Sequence, residues 1–253
     1  MTKNDFCKYI EESGFALGTW VTFSDPTVTE ICAKASFDFL VFDMEHAPLG
    51  IQDITPHLLA LKGEKTFSIV RILWNEPFYA KQVLDVGAPG IMFPWILTRE
   101  DAERAVSSCF YPPKGIRGFG PRRASWYGLE NETYIERADE EVFCVLQIEH
   151  IRAVENLEDI LSVPHIDAIF VGPWDLSGSL GILGQMSHPR LEETIDTIIA
   201  TARTRGVLVG IAAGLDPQEA LRFKEKGIHL LTLGTDYGIF LNGALSLLRR
   251  ARP

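Results

Sequence analysis

Short, almost wholly apolar runs recur along this chain, each followed by a longer segment in which apolar residues return every three or four positions. Phe15 to Phe23, Phe37 to Asp43, Thr66 to Leu73 and Gly90 to Trp95 read as strands. They are apolar on both faces, as buried parallel strands are. Ser24, Asp25 and Pro26 supply a helix start after the first, and helices are predicted over Pro77 to Val86 and Thr98 to Cys109, the latter with Thr98 and Asp101 spaced as a capping box. The stretch Val142 to Leu180, VFCVLQIEHIRAVENLEDILSVPHIDAIFVGPWDLSGSL, reads as strand, helix, strand. A helix at Pro189 to Thr204, a strand at Val207 to Ala213, a helix at Pro217 to Lys226, a strand at His229 to Thr235 and a last helix from Ile239 complete the pattern. Eight strand-plus-helix units without a linker or low-complexity tract predict one α/β domain over residues 1–253, a (β/α)8 TIM barrel. A doubly wound open sheet is the alternative, but no G-x-G-x-x-G turn follows the first strand.

One segment breaks the rhythm. Phe110 to Asn131, FYPPKGIRGFGPRRASWYGLEN, is too long and too rich in Gly, Pro and Arg for a simple connection, which marks it as functional or as an interface. Its root follows a helix and therefore lies on the amino-terminal face of a barrel. That favours subunit contact, or reach into a neighbour's site, over a lid on its own site. Net charge −10 with a pI near 5.1 argues against a nucleic-acid or anionic-membrane partner. The four cysteines, Cys7, Cys32, Cys109 and Cys144, are far apart and form no C-x-x-C pair, against a zinc knuckle or a secreted disulfide framework. No signal core or membrane-length apolar run is present, so a cytoplasmic protein is expected.

Parallel strands bring their carboxyl ends to one face, and that is where the candidate chemistry collects. Glu149 closes the fifth strand and Asp175 follows the sixth, two hard oxygen ligands suited to a hydrated Mg²⁺ or Mn²⁺. Either alone could equally cap a helix; two on adjacent strands favour a site. The second strand ends in FDMEHAPLG, placing Asp43, Glu45 and His46 at that face, with Arg71 near the end of the third and Gln147 on the side of Glu149 by period two. His46 fits a general base near neutral pH, or a hydrogen-bonded structural imidazole. Arg71, inside an apolar strand, must meet an internal carboxylate or a substrate carboxylate.

In the same order, FDFLVFDMEHAPLG, VRILWNEPFYAKQVLDVGAPGIMFPWI, YPPKGIRGFGPRRA, VLQIE and FVGPWDLSGSLG resemble the HpcH/HpaI family of metal-dependent pyruvate aldolases, over nearly the whole chain. The resemblance implies a (β/α)8 barrel, a homo-oligomer built of dimers, up to a hexamer, and reversible cleavage of a 4-hydroxy-2-oxo acid to pyruvate and an aldehyde. It implies Glu149 and Asp175 as ligands of Mg²⁺, Mn²⁺ or Co²⁺, and Arg71 on the pyruvyl carboxylate or keto oxygen. His46 is the implied base, with Asp85 as its acidic partner, and Gln147, Gly172, Trp174 and Asp175 line the substrate. Trp174 stands where the family often has a small residue.

Cleaving the C3–C4 bond of such an acid leaves electrons at C3, which need an iminium or a metal as sink. No lysine falls inside a predicted strand or at its carboxyl end, which favours the metal. Because Asp85 ends a helix that precedes the fourth strand, it should lie on the amino-terminal face and reach a histidine base only across a subunit boundary. Three alternatives stand beside this reading. One is another lyase on the same enolate, such as an oxaloacetate decarboxylase. Another is a phosphate-ester enzyme using Gly214 and Gly234 with Thr235, and the third is a barrel that binds an oxo acid without turnover.

Overall fold

The computed structural model describes residues 1–252. Eight parallel strands close into a barrel in chain order: β1 (Ala16–Val21), β2 (Phe39–Asp43), β3 (Phe67–Arg71), β4 (Gly90–Phe93), β5 (Phe143–Ile148), β6 (Ala168–Val171), β7 (Leu208–Ala213) and β8 (Leu230–Thr235). The expected (β/α)8 barrel is therefore the fold. Around the strands run α1 (Lys3–Ser13), α2 (Thr27–Lys34), α3 (Ile51–Ala60), α4 (Pro77–Asp85), α5 (Arg99–Cys109), α6 (Asn131–Glu141), α7 (Ile151–Glu155), α8 (Leu157–Ile160), α9 (Pro173–Ser179), α10 (Pro189–Thr204), α11 (Pro217–Lys226) and α12 (Asp236–Ala251). The Thr98–Asp101 capping box is formed at the start of α5. Among the described residues no helix is long and apolar enough to cross a membrane.

Two apolar clusters follow from strand alternation. Outward residues such as Val21, Leu40, Phe42, Ile91 and Leu146 pack under the helices. Inward residues, among them Trp20, Phe39, Phe67, Phe143 and Phe170, fill the barrel. Gly18 and Gly210 make space for this filling, since a Cβ would lie 2.7 Å from the Phe39 ring and 2.3 Å from that of Phe170.

Three elements differ from the sequence expectation. The charged amino terminus, for which no element was expected, forms α1: Phe6 and Ile10, one turn apart, enter the bottom of the barrel. There Phe6 stacks on Phe67 at 4.3 Å and meets Phe143 edge-on at 5.6 Å. The long segment after α5 leads into α6, and Arg117 within it is fully buried between Tyr111 and Tyr134. The last helix begins at Asp236, three residues before the expected Ile239, because Thr235 caps it by accepting from the Gly238 amide.

Candidate active site

The strand register builds the site. In the β2–β3 pair, Asp43 stands directly opposite Arg71, each the last residue of its strand. Asp43 Oδ1 accepts from Arg71 Nε at 3.0 Å and Oδ2 from Nη2 at 2.8 Å, a two-toothed pair almost wholly buried. The Arg71 guanidinium also lies 4.2 Å above the Trp20 ring. Asp43 Oδ1 further accepts from the Glu45 and His46 amides at 3.0 and 3.2 Å, fixing the turn that carries the histidine. Arg71 thus meets an internal carboxylate, the first of the two partners expected for it, and its fork is held by Asp43. Nη1 remains, 3.2 Å from Glu45 Oε2 and 3.4 Å from Gln147 Oε1.

From Arg71 the polar chain continues across the barrel mouth. Gln147 Nε2 donates to Glu149 Oε2, and Glu149 Oε1 accepts from the Trp95 amide at 2.9 Å. Trp95 delivers that amide from a left-handed backbone conformation, φ 58°, which is uncommon for a bulky residue and marks a constrained turn. Gly172 lies against the same carboxylate. A Cβ there would come within 3.0 Å of Glu149 Oε2 and 3.3 Å of Gln147 Nε2, so a side chain would displace the ligand candidate. Asp175 sits in the first turn of α9, exposed to the mouth, as does Trp174. His46 is also open, its Nε2 3.9 Å from Glu45 Oε2. Asp43, His46, Arg71, Gln147, Gly172, Trp174 and Asp175 line one cavity of about 500 Å³.

The electrostatics are those of an acidic cavity short of cations. Burial above all lifts Glu149 to about 7, against the Trp95 hydrogen bond, with the charges of Glu45 and Asp175 adding to the rise. Glu45 is likewise pushed up to about 7, by burial first, against Arg71 and with Asp43 and Asp175 adding. Glu45 Oε2 is buried without an aligned hydrogen-bond partner. Hard, crowded carboxylate oxygens with an unsatisfied acceptor fit a divalent cation. Among the described residues no three His, Cys, Asp or Glu side chains converge as a metal cage.

Asp85 is not part of this chain's own constellation. It ends α4 on the amino-terminal side of the barrel, where its Oδ1 accepts from Arg117 Nη2 at 2.9 Å. Of the loops named in the phosphate alternative, the Gly214 amide after β7 donates to Glu219 at 2.8 Å and the Tyr237 amide after β8 to Asp236 at 2.8 Å, while Asp236 also accepts from the Thr22 and Phe23 amides after β1. Sequence reasoning missed Trp20 and Trp95. The inward alternation of β1 could have found Trp20; a backbone amide such as that of Trp95 leaves no side-chain signal. Asp43 was placed at the correct face, but its hold on Arg71 appears only in the register.

The sequence profile described as HpcH/HpaI aldolase/citrate lyase matches residues 16–243. The chain is 38% identical over 232 residues to the 5-keto-4-deoxy-D-glucarate aldolase of Salmonella arizonae, covering 91% of this chain and 90% of the relative. With the protein of the same name from Citrobacter koseri it shares 37% identity over 96% and 95%. Among solved structures, an HpcH/HpaI aldolase/citrate lyase family protein from Burkholderia cenocepacia superposes with a TM-score of 0.90 at 34% identity, covering 94% of this chain and 95% of the other.

Proposed function

The chain belongs to the HpcH/HpaI aldolase/citrate lyase family of carbon–carbon lyases, and we propose that it reversibly cleaves a 4-hydroxy-2-oxo acid to pyruvate and an aldehyde with a divalent metal ion. The observation that carries this reading is the buried chain Asp43, Arg71, Gln147, Glu149 at the mouth of the barrel, with Glu45 against Arg71 and with Asp175 and His46 lining the cavity. A binding barrel needs an anion clamp; it has no use for surplus buried carboxylates or an exposed base. The name shared by the relatives supports a deoxygenated oxo sugar diacid as the substrate type.

In this reading Glu149 and Asp175 hold the ion. A bound Mg²⁺, Mn²⁺ or Co²⁺ would supply Lewis-acid stabilisation of the negative charge that develops on the keto oxygen as the C3–C4 bond breaks. Asp43 and Trp20 keep the Arg71 guanidinium rigid, so that Nη1 is placed to offer positive charge to the carboxylate or keto oxygen of the substrate in exchange for Glu45. Gln147 bridges Arg71 and Glu149 and so sets one relative to the other. His46 takes the proton of the C4 hydroxyl in cleavage and returns it in addition. The deciding experiment is solvent-deuterium exchange into the methyl group of pyruvate, with and without added Mn²⁺. Metal-dependent exchange together with pyruvate release from a 4-hydroxy-2-oxo acid is the expected result; absence of both would sink the assignment.

The shared-site reading of Asp85 follows from its placement. On the far face of its own barrel, it can serve a histidine only in a neighbouring subunit. Exposed apolar surface supports a homo-oligomer: Phe240 and Leu247 of α12 are 73% and 62% exposed, and Tyr127 and Leu129 of the long segment 70% and 89%. Co-refolded His46→Ala and Asp85→Ala proteins should regain part of the activity that each lacks alone, because some interfaces then pair an intact histidine with an intact aspartate. No recovery in demonstrably mixed oligomers would refute the sharing while leaving the metal chemistry standing.

A further inference from the structure

Beside the cavity that holds Arg71 and Gln147 lies a second one of about 190 Å³, enclosed between α9, α10, the end of β7 and α11. Pro173, Trp174, Ala212 and Ala213 line both. Of these four Trp174 alone is large; though 62% exposed, it stands on the wall common to both cavities, with Gly184 behind it, where a Cβ would lie 3.4 Å from the ring. The side cavity is apolar in what it offers. Met186, Leu191, Ile195 and Phe223 form its walls. Its charged rim is already committed, with Arg222 on Glu192 at 2.9 Å, Lys226 on Asp196 at 2.6 Å and Glu219 on the Gly214 amide. Charged groups therefore stand paired at the rim, and the walls that an aliphatic chain would meet are hydrocarbon and sulfur.

We infer that Trp174 limits the length of the aldehyde by closing the reaction cavity off from this apolar side cavity, so that the wild-type site takes short aldehydes and holds a latent extension for aliphatic ones. The inference rests on the pyruvate aldolase reading and deepens it. Removing the indole joins the two spaces, and each methylene then leaves water for an apolar wall, a gain of about threefold to fivefold in kcat/KM per methylene.

The test is the addition of pyruvate to straight-chain aldehydes from acetaldehyde to hexanal, measured for the wild type, Trp174→Ala and Trp174→Ala/Ala213→Leu. The quantity read is the ratio of kcat/KM for pentanal to that for acetaldehyde within each protein, which removes any general loss of activity. It is expected to rise by about thirtyfold to a hundredfold in Trp174→Ala and to fall back in the double variant, whose leucine refills the side cavity. Trp174→Leu, which keeps an apolar group on the exposed turn, should give an intermediate ratio and serves if the alanine variant does not fold. A ratio unchanged from wild type in both single variants, or one that rises equally in the double variant, overturns the partition. Wild-type protein that neither exchanges deuterium into pyruvate nor adds any aldehyde overturns the aldolase reading itself, and this inference with it.

Discussion

Glu149→Gln is expected to lose divalent-metal binding and pyruvate release together, and Asp175→Asn to do the same. The amide is isosteric with the carboxylate and can still meet the Trp95 amide through its oxygen, so the turn that Glu149 Oε1 holds at 2.9 Å should survive. What disappears is one of two anionic donors, and an ion held by only two protein oxygens has no spare. Loss of an outer-shell partner alone costs roughly 10–100-fold in affinity. Loss of a direct ligand should exceed that in calorimetry with Mn²⁺ and lower turnover roughly a thousandfold. A stability measurement separates this from misfolding. Saturating Mn²⁺ should raise the unfolding free energy of the wild type, by about 2.7 kcal/mol at a hundredfold excess over Kd, and leave Glu149→Gln unmoved. Metal-free Glu149→Gln should stay close to metal-free wild type in stability, because it removes a buried acidic group from beside Glu45 and Asp175 but turns its NH2 onto the Gln147 NH2, donor against donor. Undiminished Mn²⁺ affinity in both variants would remove these residues from the metal site.

Arg71→Lys should be nearly as damaging although the charge is kept. An ammonium cannot reproduce the two parallel bonds to Asp43, the stacking on Trp20 and the reach to Gln147 at once. Asp43, 4% exposed, is then left with part of its hydrogen-bonding capacity unmet. Breaking a buried pair outright costs 3–5 kcal/mol. With the charge retained the expected loss is about 2–3 kcal/mol in urea unfolding. The kinetic cost is larger than one lost hydrogen bond implies, because Gln147 and through it Glu149 lose their reference. A fall of about a hundredfold or more in kcat/KM is expected. Asp43→Asn serves as the control: it should reproduce the kinetic defect although Arg71 is present, since the guanidinium would no longer be oriented. Near wild-type turnover in Asp43→Asn would show that Arg71 positions itself.

How much of this the chain states in its own order, and how much arises on folding, follows from the range of the interactions. Alternation and helical periodicity are local, so the eight strands, α10, α11 and the capping box of α5 were legible from residues close in sequence. Parallel strands in turn send every strand end to one face, which is enough to place Asp43, His46, Arg71, Gln147 and Asp175 around one mouth, Glu149 beside Gln147, and Asp85 at the opposite rim. Pairing is decided elsewhere. That Arg71 spends its fork on Asp43 depends on the β2–β3 register, and that Glu149 leans on the Trp95 amide depends on a left-handed turn 54 residues away in sequence. The entry of Phe6 into the barrel depends on rings from β2, β3 and β5, none of them near α1 in the chain. The exposed apolar side of α12 reads in sequence like any amphipathic helix, because periodicity shows that a face is apolar but not what covers it. The sequence by itself therefore determined the barrel and the face of its chemistry. Contacts between distant strands, whose geometry no short window of residues contains, decided which partner each charged group keeps.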